Sequence, residues 1–306
     1  MPNNPDVIVN IPPIGREERI GSVLNHVFLV MYQTDNTQMQ YARKVIWDFS
    51  DCSFLHPFFL GALSVLKKLY GDVVECRNIN PQISHYLDLI YFHDPLQINN
   101  DQNDNSLWER YKGKSYLPIC VFDAHNGSSE IAQNLIKSAV TNQIGGKLVS
   151  VLSYLLSELI DNITDHSKSK VGYVFCQKLP RQNSLCVFIA DTGRSIYSSY
   201  ATDERYADSL GLRESSGLVM ALNGKSTKNR PESENRGFGI SKSRELIVNG
   251  LKGEFLMLSG SAFARHDSNG VFVADLPGDL RWNGTIALLK VPINIPNELN
   301  IYDYIG

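Results

Sequence analysis

The stretch LSYLLSELIDNITDHSKSKVGYVFC, residues 152–176, passes from a leucine-rich helical run into a strand and carries Glu158, Asp161, Asn162, Asp165 and His166 on the way. A helix brings positions i, i+3, i+4, i+7 and i+8 onto one face. Counted from Glu158, those positions are Asp161, Asn162, Asp165 and His166. Leu152, Leu155, Leu156, Leu159 and Ile163 form an adjacent apolar arc suited to packing on a sheet. Any amphipathic helix needs a polar face, so solvation alone is one explanation. This face, however, has no Lys or Arg, its carboxylates repel one another at i,i+4 spacing, and an amide lies among them. Such a set suits a divalent cation that takes carboxylate and amide oxygens and keeps several waters beside phosphates. His166, at the edge of the apolar arc, is placed to pack or cap.

Outward from this helix the chain alternates strand-like and helix-like segments, an α/β pattern. Upstream, LPICVFDA (117–124) reads as a strand and SSEIAQNLIKSAVTN (128–142) as a helix capped at Ser128 or Ser129. Downstream, VGYVFCQKL (171–179) and SLCVFIAD (184–191) read as strands joined by the turn-like PRQN. Residues 192–236 are rich in Ser, Gly, Asn and charge and read as a mobile surface insertion with one helical piece at SSGLVMAL (215–222). The helix GISKSRELIVNG (239–250) and the strands EFLMLSG, GVFVAD and GTIALLKVPI complete this half.

In the first half HVFLVMYQ (26–33), KVIWDFSD (44–51) and DVVECRNI (72–79) read as strands from their β-branched and aromatic residues. FFLGALSVLKKLYG has helical spacing and a stopping Gly71, and PQISHYLDLIYF opens with Pro81 in its first turn. The Asn- and Asp-rich stretch 97–115 marks a domain boundary, giving a first domain at 1–105, a linker at 106–116 and a second domain at 117–306.

With 43% apolar and 20% charged residues in a chain of 306, the composition is that of an ordinary globular protein. A net charge of −3 gives no electrostatic reason to expect nucleic acid or an anionic membrane as partner. Five scattered cysteines without a C-x-x-C pair argue against a disulfide framework or a zinc site. No signal-like or bilayer-length apolar run occurs, and a reducing cytoplasm is the expected compartment.

ELIDNITDH resembles the first conserved box of the ATPase superfamily that unites gyrase, heat-shock chaperones, histidine kinases and mismatch-repair proteins, the GHKL group with its Bergerat fold. The resemblance implies that Glu158 is the base acting on the attacking water and that Asn162 binds Mg²⁺, with Asp165 at the nucleotide. IADTGRSI resembles the family's D-x-G-x-G box, implying that Asp191 accepts from the adenine amino group and Gly193 lets the backbone lie close to the ring. Its second glycine is here Ser195, which is unfavourable wherever positive φ is required. RGFGISKSRELI is similar to the G-x-G box in which Gly237, Phe238 and Gly239 open a helix whose N-terminal amides face phosphates. NGTIALLKVPI resembles the last strand, where Thr285 reaches the adenine region through water, and the segment before Gly237 looks like the ATP lid, placing Lys228 and Arg236 near phosphate. A P-loop reading of Gly224, Lys225 and Ser226 fails, because position 219 is valine and no strand precedes it.

Residues 40–96 resemble a STAS domain, the fold of anti-sigma-factor antagonists: a strand ending in Asp48, a short loop, a helix containing LGAL, a second strand and a second helix. In that family a Ser or Thr at the helix start is phosphorylated by a partner ATPase. Here the loop reads Phe54, Leu55, His56, Pro57, Phe58, with Ser53 earlier and no hydroxyl at the expected place. His56 is then either a phospho-acceptor or a capping residue.

Together the resemblances imply a STAS-like α/β domain followed by a Bergerat-type α/β sandwich with a mixed sheet covered on one face by helices. The function implied is an ATP-binding regulatory protein that hydrolyses ATP with Mg²⁺ and couples nucleotide state to its lid and to a protein partner. A serine/threonine kinase of the anti-sigma type and a non-catalytic nucleotide-gated module are the alternatives. The family often works as dimers, so a homodimer is among the expectations.

Overall fold

The computed structural model describes residues 6–16, 18–39, 44–99, 104–111, 113–144, 149–225, 227, 239–294 and 299. The chain divides into two compact units, Met1–Leu96 and Gln97–Gly306.

The smaller unit alternates strand and helix: β1 (Val7–Asn10), α1 (Ile20–Met39), β2 (Val45–Asp48), α2 (Pro57–Tyr70), β3 (Val74–Arg77) and α3 (Pro81–Leu89). The strands form a parallel sheet in the order β1-β2-β3, with Ile8 beside Ile46 and Ile46 beside Glu75. The strand expected at 26–33 lies inside α1. Val23, Leu24, Val27, Phe28, Val30 and Met31 are buried while Leu29 and Tyr32 are exposed, so a 3.6-residue period overrides the strand preference of Val and Phe. Fully buried Trp47 donates from Nε1 to Thr34 Oγ1 at 3.0 Å, and Thr34 donates to Val30 O at 2.7 Å, which fastens β2 to α1 without leaving the indole N–H unpaired.

His56 settles as a cap. It precedes Pro57, has extended backbone, is 1% exposed, and its Nδ1 accepts from the backbone N–H of Phe58 at 3.2 Å. A buried ring engaged in this way is a helix start and not an accessible phospho-acceptor. His56→Ala is expected to cost about 1 kcal/mol of stability in this unit, read by denaturant melts; an unchanged midpoint would show the cap to be dispensable.

The larger unit holds β4 (Leu96–Ile98), α4 (Asp104–Tyr111), β5 (Tyr116–Asp123), α5 (Ser128–Ile144), α6 (Val149–His166), β6 (Val171–Leu179), β7 (Ser184–Asp191), α7 (Ile196–Ala201), α8 (Glu214–Leu222), α9 (Gly239–Glu245), β8 (Glu254–Gly260), β9 (Ala262–Asp267), β10 (Gly270–Asp275) and β11 (Trp282–Pro292). One mixed sheet runs β10-β9-β8-β11-β7-β6-β5-β4, antiparallel in every pair from β10 through β5. The division between units falls ahead of the expected linker, and α4 occupies most of it: β4 joins the large sheet from a stretch read as loop. The chain is therefore α/β, with a small parallel sheet and a large mixed one.

All eight residues of β7 are buried, and α6 packs on β7, on α5 and on α9. Residues 192–225 are not a mobile insertion. α7 and α8 pack together, Gly217 lying so close to Tyr197 Cα that a methyl would meet it at 2.7 Å. α8 also packs on β9 and β10, with Leu218, Ala221 and Leu222 buried. Its N-terminus is capped from the sheet: Asp275 accepts from Ser215 N at 2.8 Å and from Ser215 Oγ at 3.0 Å, a carboxylate at the positive end of the helix dipole. Glu214 accepts from Ser261 N at 2.8 Å, and Tyr200 donates to Lys225 O at 2.6 Å beyond the helix's other end.

Candidate functional site

The polar face of α6 is sorted by its neighbours. Leu152, Leu155, Leu156, Leu159 and Ile163 are all buried, as the apolar arc requires. Asp161 is half-buried and accepts from Gln133 Nε2 of α5 at 2.7 Å, so it ties two helices together. Glu158 and Asn162 are half-buried on the same helix, and Asp165, a turn further on, is exposed. The backbone of His166 ends α6, and its side chain lies outside the described residues.

The turn after α6 is built from serine. Ser167 Oγ donates to Ile163 O at 2.7 Å and accepts from Ser169 N at 2.9 Å, while Ser169 Oγ donates to Val171 O at 2.7 Å. The carbonyl of Ser167 accepts from Arg194 N at 2.6 Å, which ties the end of α6 to the loop that follows β7.

That loop is organised by Asp191, 2% exposed at the end of β7. Its Oδ1 accepts from Gly193 N at 2.8 Å, and the backbone N–H of Thr285 also donates to the carboxyl. Its carbonyl accepts from Trp282 Nε1 at 3.1 Å. Burial pushes the carboxyl up to about 7, against the opposing pull of the Gly193 and Thr285 N–H groups. Between roughly pH 4 and pH 7 the native state therefore holds a proton that the unfolded chain has released. Asp191's contribution to stability is fully present at the acid end of that window and is lost as pH rises through 7. Melts at pH 5 and pH 8 are expected to show this loss in wild type and its absence in Asp191→Asn; the same pH dependence in both would remove Asp191 as the source.

Two glycines press on this carboxyl's surroundings. A methyl on Gly193 would run into the carbonyl of Ser167 and meet Ser169 N at 2.8 Å. Gly284, at φ +101°, has no room because of Asp191, whose Oδ1 would be 2.6 Å from a Cβ. Thr285 shares a 2.9 Å hydrogen bond with Ser259, which itself accepts from Ile196 N at 2.8 Å, so β8, β11 and the start of α7 are linked through hydroxyls.

Ser195, standing where the resemblance has a second glycine, has φ −70° and is the N-cap of α7, its Oγ accepting from Ser198 N at 3.2 Å. Positive φ is not required there.

The structure thus brings Asp191, Gly193 and Thr285 into one bonded cluster and places Glu158 and Asn162 on the helix whose end is fastened to it. Gly239 is the first residue of α9, which packs on α6; Gly237, Phe238, Lys228 and Arg236 lie outside the described residues. Ser167, Ser259, Trp282 and Gly284 were not found from sequence. Only Gly284, next to Thr285 in β11, carried a local signal.

Among the described residues no group of three or more His, Cys, Asp or Glu side chains converges as a metal site, and no helix is long and apolar enough to cross a membrane. No protein-family model matches the chain, and no curated protein matches it significantly.

Proposed function

We propose that residues 117–306 form a GHKL-type nucleotide-binding domain of Bergerat fold, that it binds ATP with Mg²⁺, and that it hydrolyses the γ-phosphate to control a protein partner in the cytoplasm. The observation that carries this reading is the buried carboxyl of Asp191, held by two backbone N–H groups beneath close-packed Gly193 and Gly284 and fastened through Ser167 to the helix that bears Glu158 and Asn162. A carboxyl oxygen is a specific acceptor for an exocyclic amino group, and the two glycines let the surrounding backbone close tightly around it.

Asn162 fits a role as the one protein ligand of Mg²⁺, because magnesium keeps waters and takes its remaining oxygens from substrate phosphates and does not need an all-protein cage. When bound, the ion neutralises phosphate charge. Glu158 orients the attacking water and accepts its proton as the new P–O bond forms and ADP leaves with the electron pair of the broken one. The amides at the start of α9 face the phosphates. The first unit, with strands and helices in alternation around a parallel sheet, is read as a STAS-like domain whose helix start is capped by His56 and not phosphorylated.

Calorimetric titration with ATP, with and without Mg²⁺, tests this reading: Mg²⁺-dependent binding is expected, and no heat under either condition sinks it. γ-Labelled ATP then separates the readings, as free phosphate for an ATPase, labelled partner for a serine/threonine kinase, and neither for a nucleotide-gated module.

A further inference from the structure

Strand β11 breaks register where it passes Asp191. Trp282 faces Gly260 on β8 and Thr285 faces the adjacent residue, Ser259, so Asn283 and Gly284 bulge out between them. Bulges re-aim side chains and are over-represented beside functional sites. The β11–β7 ladder ends at Ile286 and Ala190, one residue short of Asp191, whereas on its other side Asp191 is still paired with Gly172 of β6.

The two ends of the bulge take over where the ladder stops. Trp282, 1% exposed, donates from Nε1 to the Asp191 carbonyl at 3.1 Å, and the Thr285 N–H reaches the Asp191 carboxyl. Between them Gly284 lies against that carbonyl and carboxyl with no room for a side chain, and its own carbonyl accepts from Ser259 Oγ at 3.2 Å. Asp191 is thus gripped at its backbone by Trp282 and at its side chain by Thr285. An indole N–H is a donor only, and its ring turns about two torsions, so a buried Trp fixes an acceptor at small entropic cost. A ligand-binding group needs such support, because it must be held within about 0.5 Å of its working geometry by neighbours that are themselves locked in packing.

We propose that Trp282 is a positioning residue for base recognition: its indole N–H fixes the Asp191 backbone so that the carboxyl meets a purine bearing a 6-amino group and rejects one bearing a 6-oxo group. The inference rests on the nucleotide reading above. A carboxyl oxygen that accepts from an amino group meets a second acceptor when the base carries oxygen there, and a site built on such a bond discriminates against the analogue lacking the N–H. Trp282 acts through Asp191 and not on the base itself.

The test is calorimetric titration of the full chain, with Mg²⁺, by ATP, ITP and inorganic tripolyphosphate. Wild type is expected to bind ATP at least about tenfold more tightly than ITP, the worth of one hydrogen bond. Trp282→Phe, which keeps an aromatic ring and removes the N–H, is expected to close most of that gap while leaving the tripolyphosphate affinity unchanged. An ATP-to-ITP ratio equal to wild type overturns the inference, as does an equal loss for all three ligands, which a merely structural role would produce. Wild type that binds ATP and ITP alike also overturns it. Absence of ATP binding by wild type sinks the nucleotide reading and this inference together, whereas an unchanged ratio in the variant sinks this inference alone. Should Trp282→Phe fail to fold, replacement of Trp282 by benzothienylalanine, which keeps the outline of the indole and has sulfur in place of the N–H, decides by the same ratio.

Discussion

Glu158→Ala is expected to retain ATP binding and to lower ATP turnover by about 10²–10⁴-fold, the usual contribution of a positioned general base. Glu158 is half-buried on α6, one turn before Asn162, so the substitution removes the proposed proton acceptor without touching the Asp191 cluster proposed to hold adenine. Leu159 and Leu155 keep the helix seated on the sheet, and alanine favours the helix. The informative comparison is binding by calorimetry against phosphate release under saturating ATP. Turnover equal to wild type would take Glu158 out of its role; loss of binding together with turnover would make it a ligand contact. Asn162→Ala should show the complementary pattern, with affinity lost chiefly in the presence of Mg²⁺.

The second large effect is on stability. Gly284→Ala adds a methyl at φ +101°, against the carbonyl and the carboxyl of Asp191. Strained backbone and an overpacked contact each cost on the order of 1–3 kcal/mol, and together about 4 kcal/mol is expected. The melting transition of the larger unit should fall by roughly 10 °C. Gly278→Ala is the control: its φ is also positive, at +60°, but nothing lies within 4 Å of a Cβ there, so it carries the conformational penalty alone. Equal destabilisation by the two substitutions would show that contact with Asp191 contributes nothing.

What sequence could and could not supply follows from which forces are local. The helical arc of α6 was legible because its five leucine and isoleucine positions follow one period, and all are buried. α1 was misread although its buried positions also keep a helical period, because a run of Val, Phe, Leu and Met was weighed by strand preference and not by spacing. β9 went unread: Arg265, His266 and Asp267 hide an alternation that only burial on one face reveals. Residues 192–225 looked like a loop since their order comes from far away in sequence, from Asp275 at the start of α8 and Ser259 at the start of α7. At the site, Asp191, Gly193 and Thr285 could be named from their motifs, whereas Asp161 could not be separated from its neighbours on the polar face until Gln133 was seen to occupy it. Ser167 and Trp282 act through backbone atoms of the site, which no side-chain pattern announces.

The contrast between Gly193 and Ser195 carries a consequence for how such a segment can change over time. Position 193 is limited by volume: with Ser167's carbonyl against it, the alphabet there has one letter. Position 195 is limited by capping alone, and any short side chain with an oxygen acceptor serves, so Ser, Thr, Asp and Asn are interchangeable spellings. A pattern demanding glycine at both places would reject this chain for a letter its backbone never required.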